Sequence, residues 1–153
     1  MTKEKSVPEK YEVGSERWID TLRELLEDGL AGADLTGVQV AFYEECLNPP
    51  AHLLAAGETS VAWTVRVDEN GAQVDRGRIA DPDFFLELDY TAALAIANVS
   101  VSDPELPRIM ADFEEKGLLR RGGDGSKMPP QVGAAWLKLH DELGKRKIGR
   151  AHV

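Results

Sequence analysis

The sequence predicts an α+β domain, an amphipathic sheet with helices gathered on one of its faces. Three observations carry that expectation. Apolar side chains alternate at period two in residues 38–42, 61–67 and 84–88, as half-buried strands require. Apolar side chains recur at helical spacing in residues 18–26 and again in 132–143. The order of elements, namely helix, four strands, two helices, a short strand and a closing helix, completes the reading.

The first dozen residues are charged and aperiodic, so residues 1–14 are expected to form a flexible arm. Ser15 can cap a helix with Trp18, Ile19, Leu22, Leu25 and Leu26 on one face and Gly29 and Gly32 near its end. Val38, Val40 and Phe42 alternate with Gln39, Ala41 and Tyr43 in a first strand, which stops before Asn48-Pro49-Pro50 because proline has no ladder donor. A loop or short helical turn follows at 51–57. Val61, Trp63, Val65 and Val67 then share one strand face, with Ala62, Thr64, Arg66 and Asp68 on the other. Asn70-Gly71 supplies the two residues that most readily take positive φ, so the chain reverses there into a polar third strand.

Ala80-Asp81-Pro82-Asp83 breaks the chain, and a fourth strand puts Phe84, Leu86 and Leu88 on one face. Asp89 or Thr91 can cap a short helix, and Asp103-Pro104-Glu105 carries the start signals of another. Pro107 complicates that start: at the fourth helical position it would lose one backbone bond, and the regular helix would begin only there, presenting Ile109, Met110 and Phe113 and stopping at Gly117. Residues 118–121 read as a fifth, short strand, and GGDGSKMPP as a loop. Val132, Trp136, Leu139 and Leu143 form the stripe of the closing helix.

A chain of 153 residues with 42% hydrophobic content fits one domain, here residues 15–147, with 148–153 as a tail. A single cysteine, Cys46, permits no internal disulfide, and neither a secretory leader nor an apolar run of about 18 residues is present. The expected location is cytoplasmic, without stable membrane insertion. A net charge of -9 repels phosphate backbones, so nucleic acid is not the expected partner.

His52, His140 and His152 stand at no ligand-like spacing with cysteine or carboxylate, so neither a metal nor a cofactor is expected. His140-Asp141-Glu142 reads as the wet face of the last helix, and His52 as a loop histidine. Cys46, on the Phe42 face of its strand, reads as an inert buried thiol. Tyr43, Glu44 and Glu45 are the suggestive polar cluster. In a curved pocket Tyr43 could donate to a carbonyl oxygen while Glu44 or Asp89 served as base, although charges near a strand end usually face water. Gly122, Gly123 and Gly125 lack the spacing of a phosphate loop and read as turn glycines.

The stretch TSVAWTVRVDENGAQVDRGRIADPDFFLELDYTAALAIA resembles the central part of the sterol carrier protein two-like family: a strand ending in Trp-Thr-Val, an Asn-Gly-type turn, a polar strand ending near Arg-Gly, then Ala-Asp-Pro-Asp before the next strand and helix. GLLRRGGD and the final helix resemble that family's late strand and terminal helix. The resemblance implies a mixed, mainly antiparallel five-stranded sheet with helices packed on one face, and a hydrophobic tunnel between the two that holds acyl chains, sterols or other lipids.

Phe42, Trp63, Val65, Phe84, Leu86, Ile109, Met110, Phe113, Trp136 and Leu139 are then either packed core or tunnel lining. Packing is the default for each, and the resemblance favours lining. The leading expectation is a lipid-binding or transfer module without turnover, whose partner is a hydrophobic small molecule. The alternatives are an isomerase, cyclase or hydratase that uses an acid/base pair in the same pocket, and an interaction subunit with an apolar groove. The oligomeric state is left open.

Overall fold

Ser15 begins the first helix as expected, its side-chain oxygen accepting the Trp18 backbone N–H at 3.1 Å in the computed structural model, which describes residues 11–145. The helix, α1, spans Glu16–Leu30, and the chain continues through β1 (Gln39–Leu47) and a single 3₁₀ turn at Ala51–Leu53. Strands β2 (Ser60–Asp68), β3 (Gly71–Arg76) and β4 (Phe84–Asp89) follow. Helices α2 (Tyr90–Ala97) and α3 (Leu106–Glu115), strand β5 (Leu119–Gly123), a 3₁₀ turn at Gly125–Lys127 and helix α4 (Pro130–Gly144) complete the order. This is the α+β arrangement read from the sequence.

The five strands lie in the order β3-β2-β1-β4-β5. β1 and β4 pair in parallel, and the other three pairs are antiparallel. Strand pleating assigns the faces. Phe42, Glu44 and Cys46 of β1 stand level with Val65, Trp63 and Val61 of β2 and with Phe84, Leu86 and Leu88 of β4, on the face that α1 and α4 cover. Leu22 and Leu26 of α1 and Val132 of α4 bury completely among Phe42, Val61, Val65, Val67 and Val74. Gly29 lets the two helices approach closely, since a Cβ there would lie 3.2 Å from that of Ala135.

The hairpin forms at the expected place, but its turn differs in detail. Glu69 and Asn70 are its central residues, Asp68 pairs with Gly71, and within the turn only Gly71 takes positive φ, at 122°. Asp68 accepts the Asn70 N–H at 2.8 Å and fixes the reversal, a local bond that leaves Asn70 no need of the left-handed region. Leu106, not Pro107, is the first residue of α3, because proline at the second helical position costs no intrahelical bond.

Residues 77–83 lead from β3, at the sheet edge, to β4 and lie against the other face. Gly77 N–H donates to Ala62 O at 2.8 Å, and its carbonyl accepts from Thr64 Oγ1 at 2.7 Å. At the far end Asp83 grips Ala41 twice, its N–H on Ala41 O at 2.7 Å and its carboxylate on Ala41 N–H at 2.8 Å.

Of the arm expected over residues 1–14, residues 1–10 lie outside the described residues, as does the tail 148–153. Residues 11–14 do not behave as an arm. Val13 is only 3% exposed, and its carbonyl accepts the buried Tyr90 hydroxyl at 2.7 Å, which anchors it to α2. Among the described residues no helix is long and apolar enough to cross a membrane.

Candidate ligand site

Between the covered sheet face, α3 and α4 lies an open groove of about 310 Å³. Phe42, Phe84 and Leu86 supply its floor, Trp136 and Met110 its helical walls, and Met128 with Gly122 and Gly123 its β5 end. The floor is rigid. The Phe42 ring stacks on Phe84 at 4.7 Å between centroids, and Trp136 meets Phe42 edge-on at 4.9 Å. Deeper, a smaller cavity of about 60 Å³ is enclosed by Trp18, Trp63, Leu88, Ile96, Leu139 and His140 among others. Glu44, Leu86 and Trp136 line both spaces, which are therefore adjacent.

Five of the expected lining residues, Phe42, Phe84, Leu86, Met110 and Trp136, come together in the groove, and Trp63 and Leu139 line the inner cavity. Val65 lines neither space: it is 0% exposed, packed in the core and paired with Val74 on the edge strand. Ile109 and Phe113 are half-buried against the core but line neither space. Their helix, α3, buries no residue fully and packs mainly on β5 and α2.

Glu44 is the polar exception on an apolar surface. The Trp63 indole donates to its Oε1 at 3.0 Å. Burial nevertheless dominates and pushes its carboxyl up to about 7, with the indole bond opposing. Two further polar atoms are enclosed nearby. Trp18 Nε1 and His140 Nδ1 have no hydrogen-bond partner among the described residues. Burial pushes the His140 pKa down, with Asp141 opposing. The expectation that His140 faces water is therefore overturned: it lies one turn after Trp136 on α4, and that spacing turns it toward the same cavity.

The acid/base pairing of Tyr43 with Glu44 is not formed, because adjacent residues of a strand point to opposite faces. The Tyr43 side chain points to the opposite face, where its hydroxyl donates to Glu87 Oε2 at 2.7 Å and its ring stacks on Phe85 at 5.2 Å, while Tyr43 and Phe85 also border the groove. Arg78 bridges Glu45 at 2.8 Å and Glu87 at 3.2 Å, and Arg120 reaches Glu87 at 3.0 Å. Asp89 is occupied as well: it caps α2 through Thr91 N–H and accepts from Asn48 Nδ2. Cys46 is buried, and burial first, then nearby carboxylates, pushes its thiol up to about 12. Among the described residues no group of three or more His, Cys, Asp or Glu side chains could hold a metal ion.

No protein-family model matches the sequence, and no curated protein matches it. Solved structures do resemble the fold. A conserved hypothetical protein from Thermus thermophilus, described as possibly a sterol carrier protein, superposes with a TM-score of 0.55 at 16% identity, covering 95% of this chain and 96% of that one. Sterol carrier protein 2 itself superposes with a TM-score of 0.50 at 17% identity over 86% of this chain and 98% of the other. At these identities the likeness is one of fold, and the chain has the sterol-carrier fold.

Proposed function

We propose that this sterol-carrier fold binds, and passes on, a hydrophobic ligand such as a lipid, an acyl chain or a sterol-like molecule. The observation that carries the reading is the groove of about 310 Å³ floored by Phe42, Phe84 and Leu86, which reaches the lower end of the usual range for ligand pockets, roughly 300 to 1,000 Å³. Its walls are adaptable, because Met110 and Met128 are unbranched side chains that repack around varied shapes. Burial alone can supply affinity. Ten buried methylenes contribute roughly 8 kcal/mol before ordering costs, enough for micromolar binding without a catalytic group.

Tryptophan emission tests the reading directly. Trp63 lines the cavity and Trp136 both spaces, so a saturable emission change is expected with fatty acids, their coenzyme A esters, long-chain alcohols or sterols. A flat response across that panel, together with native mass spectra that show only the bare chain, overturns it.

A further inference from the structure

Trp18 is only 6% exposed, yet its indole N–H, a pure donor, has no partner among the described residues. Such a group costs free energy unless something accepts from it. Its cavity also holds the Glu44 carboxyl, whose Oε1 takes the Trp63 N–H, and the unpartnered His140 Nδ1. Four residues with polar groups, Trp18, Glu44, Trp63 and His140, thus line one space of about 60 Å³ with otherwise apolar walls, which suits a small polar head and not a chain.

Resting on the ligand-binding reading above, we propose that this cavity is a head-group subsite for a long apolar molecule ending in one uncharged oxygen, an alcohol or a ketone, with the chain lying in the outer groove. A hydroxyl can accept from Trp18 Nε1 and donate to Glu44; a carbonyl can accept from Trp18 and, below about pH 7, also from protonated Glu44. A fatty-acid anion is disfavoured, because a second carboxylate beside Glu44 would leave two like charges in an apolar site. A protonated amine has no lone pair to offer Trp18. Arg121, at the groove, is already paired with Glu114 at 2.9 Å, so it is not a free counter-ion for an anionic head.

The test is displacement of an environment-sensitive naphthalene dye at pH 8.5 by decane, 1-decanol, 2-decanone and decanoate, with the full chain and two variants. Trp18→Phe removes the donor and keeps most of the ring. It is expected to weaken decanol and decanone about five- to tenfold while leaving decane within about twofold. Glu44→Gln removes the charge and keeps the shape; it is expected to strengthen decanoate about tenfold or more.

A wild-type measurement guards against a misfolded variant: the Trp18 indole N–H resonance of ¹⁵N-labelled protein should move downfield with decanol but not with decane. Equal losses for all four probes in Trp18→Phe would mean packing only, and unchanged affinities would mean a water-filled cavity only. Either overturns the subsite, as does decanoate binding that ignores Glu44→Gln. Those outcomes leave the broader binding reading standing, whereas failure of every probe to displace the dye from the wild type removes both.

Discussion

Trp63 stands directly opposite Glu44 across the β1–β2 ladder and donates its indole N–H to that carboxylate at 3.0 Å. The bond does not offset burial, and the carboxyl stays near 7 instead of the ordinary 4.5. The native state therefore keeps a proton that the unfolded chain gives up first. Between about pH 4.5 and 7 the folded form binds more protons, so this group's contribution to stability falls as pH rises through that window and levels off above it.

Glu44→Gln, which cannot ionise, should escape that loss. In urea titrations it is expected to match the wild type near pH 4 and to exceed it at pH 8 by about 1 to 2 kcal/mol, since Glu44 also borders the open groove. Carboxylates that titrate elsewhere are common to both proteins and cancel in the comparison. A difference independent of pH would show that the Glu44 carboxyl is well solvated.

Tyr43→Phe removes one hydroxyl from the opposite face. Burial first, then the bond to Glu87, pushes the Tyr43 hydroxyl up to about 12, so it stays a donor throughout the physiological range. On Glu87 burial acts upward, but Tyr43, Arg120 and Arg78 together hold its carboxyl below the usual value. The substitution is expected to lower unfolding free energy by about 1 kcal/mol. It should leave ligand affinity unchanged, as paired calorimetric titrations would show; a large loss of affinity would place Tyr43 in contact with the ligand.

Gly122→Ala tests the close approach of β5 to Phe85. A Cβ at Gly122 would clash with Phe85 Cζ, so the ring must leave its stack on Tyr43 and its contact with the Arg120 guanidinium at 4.8 Å. A destabilisation of about 1 to 3 kcal/mol is expected in chemical denaturation, the range for inserting bulk into a packed site. A neutral result would mean that the Phe85 ring moves without cost.

Met110→Trp distinguishes groove from core. Met110 is half-buried and lines the groove, so added bulk enters open space. The melting temperature is expected to change little while long chains bind at least tenfold more weakly than short ones. A fall in melting temperature with no change in chain-length preference would make this wall part of the packed core.

Legibility in the sequence followed locality. The strands and the α4 stripe were readable because period two and helical spacing survive in the residues themselves. The parallel pairing of β1 with β4 was not, because it joins residues such as Phe42 and Phe84 that are far apart in sequence; the family resemblance implied only that the sheet is mixed. Glu44 was legible in part. Alternation places it with Phe42 and Cys46, but the habit of charged residues at strand ends argued for water. His140 was misjudged because its neighbours Asp141 and Glu142 are polar, while its spacing of four from Trp136 carried the correct signal. Val13 was lost in a charged stretch, since a single apolar residue has no period.

The placement of β1 in mid-sheet has a kinetic consequence. β1 joins a neighbour close in sequence, β2, to one that arrives only after the hairpin, β4. Antiparallel meanders close short loops, whereas the β1–β4 ladder must close a long one, so the three-stranded β1-β2-β3 unit is expected to assemble before β4 and β5 dock. Native-state hydrogen exchange should then find the β1 and β2 amides opening last and those of β5, at the far edge beside α3, opening first. A wall of the groove would thus belong to the least stable cooperative unit, and ligand entry could proceed by local unfolding without disturbing the aromatic floor.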